Sequence, residues 1–252
     1  MPVERLRFPG ALGAELAGVL ELPGGEARGA ALFAHCFTCG KDVKAAYFVA
    51  KALVAAGIAV MRFDFTGIGE SGGDFSETDF TSNLQDLLAA AEAVGARGLP
   101  VRLLVGHSLG GTASIVAARH LPAVRAVATI AAPSDTRDLA DRLRRMAPDL
   151  ERSGEAEVVI GPRRLRIRRS LLEDLERHTV ADAVASLDRA LLLLHAPGDE
   201  TVAVEHAAKL YRLARHPKSY VSLDRADHLL SDERDARWAG AVIAAWAGRY
   251  LD

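Results

Sequence analysis

The stretch VRLLVGHSLGGTASIVAARH, residues 101–120, decides the fold of this chain. Its apolar run Val101–Val105 predicts a buried strand, and the small residues of Thr112–Ala118 predict a helix. Between them, Gly106-His107-Ser108-Leu109-Gly110 matches G-x-S-x-G, a pattern typical of a sharp strand-to-helix turn that exposes a serine. Glycines at both ends of the motif remove β-carbons that would collide in such a turn. We therefore predict a nucleophilic serine, Ser108, at the carboxyl end of a strand.

Short apolar runs alternate with helical patterns on both sides of this motif. Helical spacing of apolar residues is clear from Phe80 to Ala91 and from Trp238 to Trp246. Strands separated by helices predict an α/β fold with a doubly wound, mostly parallel sheet. The predicted strands are Ala14–Glu21, Ala30–Ala34, Ile58–Phe63, Val101–Val105, Val124–Ile130, Ala190–Leu194 and Tyr220–Leu223.

One connection is longer than a crossover requires. About sixty residues separate the strand ending at Ile130 from the strand beginning at Ala190. We predict that residues 134–186 form a small inserted cap with helices and a hairpin turning at Gly161-Pro162, while residues 1–133 and 187–252 form the core. From Arg137 to Arg169 the chain has ten arginines and six acidic residues. This excess is typical of a solvated hairpin face, and it also suits a cap that attracts an anionic substrate.

Composition bounds the function. The chain has 252 residues, of which 50% are hydrophobic and 25% charged, as expected for one large globular domain. A formal net charge of −2 provides no field that would attract nucleic acid or a membrane surface. Neither a signal-peptide core nor an uncharged apolar run of membrane-spanning length is evident. We therefore predict a cytoplasmic protein that acts on a small molecule, with no nucleic-acid or membrane partner; the oligomeric state stays open.

A serine hydroxyl becomes a good nucleophile only when a base takes its proton, so a histidine and an orienting carboxylate are needed. Of the eight histidines, His228 follows the predicted strand Tyr220–Leu223 and lies on a loop at a carboxyl end, where open α/β sheets place active sites. His35 and His195 follow earlier strands, and we expect them to hydrogen-bond loops beside the site. We predict His228 as the base.

The acid is expected between serine and histidine in the sequence. Asp199 fits best because it lies on a Pro-Gly turn directly after the strand Ala190–Leu194. Its neighbour Glu200 is the main alternative, and Asp182 and Asp188 are weaker ones. A purely structural alternative is that Asp199 caps a helix starting near Thr201.

Acyl transfer passes through an oxyanion, which two backbone N–H groups can stabilise. We predict that these belong to Leu109, which follows the nucleophile, and to Phe37 in the loop after the strand Ala30–Ala34. The chain's two cysteines, Cys36 and Cys39, flank Phe37. We favour pocket-lining thiols over a redox-active pair, in which oxidation would distort the oxyanion loop. A metal site is not expected, because no second pair of ligands has suitable spacing.

A second glycine pattern, Gly67-Ile68-Gly69-Glu70-Ser71-Gly72, formally satisfies G-x-G-x-x-G. A dinucleotide site would require a helix to open at once and an acid at the end of the next strand, but that strand ends in Gly-His-Ser. We interpret the pattern as a loop near the rim of the active site. No cofactor is predicted.

Together these motifs resemble those of the α/β-hydrolase superfamily, over residues 15–251. RFDFTGIGESGG resembles the superfamily loop D-x-R-G-x-G-x-S, with Thr66 in place of the usual arginine. More narrowly, the chain is similar to the hydrolase domain found fused to OsmC-type peroxide-reducing domains, although Gly40 stands where serine is expected and no such second domain occurs in this sequence. The segments that carry this likeness are FAHCFTCGKDVKAA, RFDFTGIGESGGDFS, GEAEV, RIRRSLLEDL and HPKSYVSLDRADHLL.

The resemblance implies a serine hydrolase that uses Ser108, Asp199 and His228 on small acyl esters. A thioesterase, an amidase or peptidase, and a cofactor-free perhydrolase would use the same residues, and the sequence does not separate them. From another class, a binding protein on a hydrolase scaffold, or one regulated through Cys36 and Cys39, stays an alternative.

Overall fold

The computed structural model describes residues 2–251. Met1 and Asp252, the outermost residues of the predicted core, lie outside the described residues. The strands are β1 Val3–Pro9, β2 Glu15–Glu21, β3 Ala30–Ala34, β4 Ala59–Phe63, β5 Val101–His107, β6 Ala126–Ile130, β7 Glu155–Ile160, β8 Arg163–Arg168, β9 Ala190–His195 and β10 Lys218–Ser222. The α-helices are α1 Lys44–Ala55, α2 Phe80–Gly95, α3 Leu109–Ala118, α4 Arg137–Met146, α5 Leu150–Ser153, α6 Arg169–Arg177, α7 Val180–Ala185, α8 Glu205–Leu213 and α9 Glu233–Ala247.

Eight strands form one sheet in the order β1-β2-β4-β3-β5-β6-β9-β10. The pairs β1–β2 and β2–β4 are antiparallel. The other six strands of this sheet, β4, β3, β5, β6, β9 and β10, run parallel. The predicted doubly wound, mostly parallel α/β sheet is therefore confirmed. Since parallel strands end at the same edge, the loops after β3, β5, β9 and β10 meet there.

Helices cover both faces of this sheet, which explains why its central strands are apolar throughout. One hydrophobic core joins the sheet to α1 and α9 through residues such as Phe33, Leu53 and Ile243. The other joins the opposite face to α2 and α3 through Leu32, Leu87 and others. Side chains on adjacent positions of β3 point into different cores, as strand geometry requires. The carboxyl edge of the sheet is thereby held between two packed layers.

Several strand ends shift by one or two residues from the predicted ones, and the main sheet has one strand more than predicted. β1 was not expected, because charged residues in Val3–Pro9 mask the alternation of the inward-facing Leu6 and Phe8. β5 continues beyond Val105 to His107, since Gly106 and His107 still pair with β6. Hydrogen bonding across the sheet extends this strand past its apolar run and up to the serine.

The long connection between β6 and β9 contains α4 to α7 and a separate two-stranded sheet. Its strands β7 and β8 pair antiparallel, with Ile160 opposite Arg163, so the turn falls at Gly161-Pro162 as the sequence indicates. We refer to residues 134–186 as the insertion. Its division from the core at 133/134 and 186/187 stays a prediction.

No helix among residues 2–251 is both long enough and apolar enough to cross a membrane.

Candidate active site

Ser108 lies in a strained turn between β5 and α3. Its backbone has φ 54° and ψ −126°, a conformation that costs a non-glycine residue about 1–3 kcal/mol. The turn is held by a hydrogen bond from the Ser108 N–H to the Ile130 carbonyl, 2.8 Å. A β-carbon at Gly106 would overlap the Gly110 carbonyl, and one at Gly110 would overlap the Ala34 carbonyl. The predicted need for both glycines is confirmed.

The structure brings the three predicted side chains together. Nε2 of His228 lies 3.1 Å from Oγ of Ser108, and Nδ1 lies 2.8 Å from Oδ2 of Asp199. These residues come from the ends of β5, β9 and β10, which are separated by up to 120 residues in the chain. The hydrogen-bonded series Asp199–His228–Ser108 can pass a proton from the hydroxyl to the imidazole while the carboxylate holds the ring.

Asp199 uses its two carboxylate oxygens for different partners. Oδ1 accepts from the backbone N–H groups of Thr201 and Val202, at 2.8 and 2.9 Å, while Oδ2 faces His228. Asp199 does not cap a helix near Thr201, because α8 begins only at Glu205; the two bonds hold the loop after β9 instead. Burial works to raise the pKa of Asp199, but the hydrogen bonds from His228 and the backbone outweigh it and hold the pKa below its usual value. The alternative acids Glu200, Asp182 and Asp188 are exposed.

The two residues predicted to supply backbone donors, Phe37 and Leu109, share a cavity with Ser108. Among residues 2–251, neither N–H has a hydrogen-bond acceptor. Two N–H groups without an acceptor at one cavity can receive an oxygen atom that develops negative charge.

A buried ion pair holds the loop that carries Phe37 in place. Oδ1 and Oδ2 of Asp64 accept from the backbone N–H and from Nζ of Lys41, at 2.7 and 2.9 Å. Burial works to lower the pKa of Lys41, but its bonds to Glu70 and Asp64 reverse this and raise it. Asp64 also accepts from the Glu70 N–H at 3.0 Å, so the second glycine pattern is hydrogen-bonded to the residue that holds the loop carrying Phe37.

Cys36 and Cys39 form a disulfide, where the sequence analysis favoured free thiols. Both residues line the cavity. The Cys39 N–H also donates to the Cys36 carbonyl at 3.1 Å, which closes a tight turn around Phe37. Spacing alone could not distinguish thiols from a disulfide, because the turn that brings the two sulfur atoms together is set by the rest of the loop.

The histidines predicted to support nearby loops do so. Nε2 of His35 accepts from the Phe65 N–H at 3.3 Å, and Nε2 of His195 bonds the Val202 carbonyl at 2.8 Å. Thr66, which replaces the superfamily arginine, donates from its N–H and hydroxyl to the fully buried Asp86. The loop after β4 is thus hydrogen-bonded without that arginine.

Sequence reasoning missed His107 as a partner of the site. Its Nε2 donates to the His228 carbonyl at 2.6 Å, and its ring centroid lies 5.2 Å from that of His228. Burial, together with the charge of His228, lowers the pKa of His107 to about 4. His107 is therefore neutral near pH 7 and fixes the backbone of the residue that faces Ser108. Its position within the G-x-S-x-G motif was the available signal.

His206 was also missed. It lies in the first turn of α8 and lines the cavity wall with Asp138. Nδ1 of His206 lies 3.1 and 3.0 Å from the N and Oγ atoms of Ser134, and Nε2 lies 3.3 Å from Asp138. Ser134 is only 2% exposed and is absent from the cavity wall, so this second Ser, His and Asp set ties the insertion to the core.

The reacting groups open into a cavity of about 510 Å³. Its wall is formed by the loop after β3 that carries Phe37, the Ser108 turn and the His228 loop. Residues of the insertion, including Leu139, Leu143 and Ile160, complete the wall. Such a volume accommodates a small organic molecule. Among the described residues, no group of three or more His, Cys, Asp and Glu side chains is arranged to hold a metal ion.

Comparison with known proteins places these features in context. A family model described as the alpha/beta hydrolase family matches residues 29–250. The crystal structure of the esterase domain of a Rhodothermus marinus protein is 45% identical, covers 100% of both chains and superposes with a TM-score of 0.82. A putative hydrolase from Agrobacterium vitis S4 is 23% identical, with a TM-score of 0.80 and coverage of 97% of this chain and 99% of its own. No curated protein sequence matches the chain.

Proposed function

Because the chain belongs to the α/β-hydrolase family, we propose that it is a serine hydrolase that cleaves small carboxylic esters through an acyl-enzyme intermediate. The observation that carries the proposal is the hydrogen-bonded series Asp199–His228–Ser108. Its Ser108 and His228 line one cavity together with Phe37 and Leu109, whose N–H groups have no acceptor among residues 2–251. The similarity to a protein titled an esterase domain supports the ester class. The narrower likeness to OsmC-fused hydrolases stays a prediction.

In this mechanism Oγ of Ser108 attacks the ester carbonyl while Nε2 of His228 takes the hydroxyl proton. Asp199 holds the imidazole with Nδ1–H toward its Oδ2 and stabilises the imidazolium that forms. His228 then gives the proton to the leaving alcohol, and the acyl group remains on Ser108. Water, deprotonated by His228, attacks the acyl carbonyl; the bond to Oγ of Ser108 breaks, Oγ takes the proton from His228, and the carboxylic acid is released.

Negative charge on the carbonyl oxygen is received by the N–H groups of Phe37 and Leu109. An aligned donor of this kind lowers the barrier by about 3 kcal/mol. Since the strained Ser108 turn and the anchored oxyanion loop are formed before substrate enters, little reorganisation is needed when the charge develops.

The direct test is hydrolysis of p-nitrophenyl butyrate by the wild type and by Ser108→Ala. We expect kcat/KM of the variant to fall by at least ~10⁴-fold, because both the nucleophile and the covalent step are lost. Ser170→Ala, an exposed serine of the insertion, serves as the control and should behave as the wild type. Retained activity in Ser108→Ala would refute the assignment.

A fluorophosphonate probe followed by intact mass measurement separates the enzyme from a binding protein on the same scaffold. One adduct is expected on the wild type and on Ser170→Ala, and none on Ser108→Ala. An unlabelled wild type would favour the binding protein.

A further inference from the structure

The cavity next to Ser108 is mainly apolar, but two arginines interrupt its wall. Arg142 comes from α4 and Arg163 from the start of β8, so two separate elements of the insertion each contribute a guanidinium. Apolar neighbours on the wall include Leu143, Met146 and Ile160. Two cations in such a wall would be unfavourable for a purely hydrocarbon acyl chain, since a charged group beside apolar surface loses solvation.

Neither guanidinium is paired within the part of the chain that the structure describes. Arg142 and Arg163 have no hydrogen-bond or ion-pair partner among residues 2–251, whereas Arg144, Arg164 and Arg168 in the same insertion each pair with a glutamate. Asp138 is the only carboxylate in the wall among the described residues, and it lies 3.3 Å from Nε2 of His206. The wall therefore has two guanidinium groups against one carboxylate that is already engaged.

Arg163 also lies near the loop that carries Phe37. Its Nη2 would lie 3.8 Å from a β-carbon on Gly40, which follows the Cys36–Cys39 turn that carries Phe37. Arg163 is half-buried, and Arg142 is exposed. Arg163 therefore lies beside the loop that carries Phe37, and the more exposed Arg142 lies on the same cavity wall.

We propose that the enzyme selects esters carrying a carboxylate, with Arg163 and Arg142 as the specificity-determining residues; this inference rests on the proposed function. A guanidinium presents two parallel N–H donors that match the two oxygens of a carboxylate, and the charged bond is strengthened where apolar side chains exclude water. The carboxylate can be on the acyl part or on the alcohol part of the ester; Ser108 chemistry is the same in both.

Three substrates separate these possibilities. They are p-nitrophenyl hexanoate, which is neutral; mono-p-nitrophenyl adipate, in which a carboxylate replaces the terminal methyl of the hexanoyl chain; and 4-carboxyphenyl butyrate, with the carboxylate on the alcohol side. Rates without enzyme are subtracted. We expect the wild type to hydrolyse one carboxylate ester with a kcat/KM at least equal to that of the neutral ester, and the arm that shows this identifies the side.

Arg163→Gln should lower kcat/KM for the preferred carboxylate ester about tenfold, mainly through KM, because one charged hydrogen bond is lost. The effect on p-nitrophenyl hexanoate should be clearly smaller than the loss for the carboxylate ester. Arg142→Gln should act in the same direction with a smaller effect, since this side chain is exposed. Arg164→Gln is the matched control: it removes a neighbouring positive charge that pairs with Glu157 outside the cavity wall. It should leave all three substrates unchanged.

A more than tenfold preference of the wild type for the hexanoate, or equal losses on all substrates in Arg163→Gln, would overturn the proposal. If Arg163→Gln does not fold, two measurements decide. Arg163→Lys should retain part of the preference for the carboxylate ester. Free adipate should also inhibit hydrolysis of p-nitrophenyl hexanoate by the wild type more strongly than free hexanoate does. The difference between the two inhibitors should shrink as NaCl is raised. Equal inhibition would count against the proposal. Absence of any Ser108-dependent hydrolysis of the neutral ester would instead mean that the proposed function has failed.

Discussion

The carboxyl edge of the main sheet and the insertion both form the cavity wall, but they treat their polar groups differently. At the sheet edge, both oxygens of Asp199, both nitrogens of His228 and Nε2 of His107 have partners within 3.1 Å. In the insertion, Arg142 and Arg163 face the cavity without a partner among residues 2–251. We infer that the hydrogen-bonded sheet edge performs the proposed chemistry, while the insertion presents charges that an incoming molecule can bind.

The strongest way to break this comparison is Asp199→Asn. The amide keeps the size of the side chain but cannot hold His228 in the same tautomer or stabilise an imidazolium, so kcat should fall by about 10⁴-fold. The folded structure should persist, because the amide oxygen can still accept from Thr201 and Val202. Steady-state kinetics with a p-nitrophenyl ester, together with circular dichroism, measure both.

Glu200→Gln is the matched control for this substitution, because Glu200 is adjacent in sequence and exposed. It should retain wild-type kcat. If Asp199→Asn were as active as the wild type and Glu200→Gln were not, the acid would have to be reassigned to Glu200.

A second prediction concerns the pH dependence of stability at the sheet edge. His107 has its pKa lowered to about 4, mainly by burial, so the folded state resists protonation where the unfolded chain accepts it. Its contribution to stability is therefore complete above the unfolded pKa of about 6.5 and is lost as pH falls toward 4. We expect the free energy of unfolding of His107→Gln to fall less between pH 6.5 and 4 than that of the wild type, by about 3 kcal/mol at most.

Urea denaturation across this pH range measures that difference. In His107→Gln the new side-chain amide can still donate to the His228 carbonyl, so the comparison isolates the titration from the hydrogen bond. His120→Gln, at an exposed position, should keep the wild-type slope. An equal dependence of the free energy of unfolding on pH in the wild type and His107→Gln would show that His107 does not resist protonation. The contrast in polar groups between the sheet edge and the insertion would then be weaker.

Sequence reasoning reached the sheet edge more fully than the insertion, and the cause is physical. Ser108, Asp199 and His228 each follow a predicted apolar strand, and parallel strands end at one edge, so local patterns were enough to predict a meeting over long sequence distances. Arg163 offers no such pattern. Whether an arginine of the hairpin faces the cavity depends on how the insertion packs on the core, and local periodicity contains no information about that packing.

The smallest expected effect lies where the two regions meet, at the Cys36–Cys39 disulfide. The disulfide encloses Phe37, and the turn is also closed by the hydrogen bond from the Cys39 N–H to the Cys36 carbonyl. Reduction by dithiothreitol transfers two electrons and two protons to the sulfur pair and leaves the reagent as a cyclic disulfide. Because the hydrogen bond remains, we expect the loop to loosen only slightly and kcat to fall about twofold to fivefold, well short of the loss expected when an oxyanion donor is removed.

The double variant Cys36→Ser/Cys39→Ser is the control, and it should show the reduced rate with and without dithiothreitol. Thiol titration of the wild type must report two thiols after reduction. An activity that rises on reduction would instead identify the disulfide form as the inhibited state, which is the redox-regulated alternative. The loop that carries Phe37 would then be a part of the cavity wall that changes with redox state. Only Ser108, Asp199 and His228 would remain as the fixed part of the sheet edge.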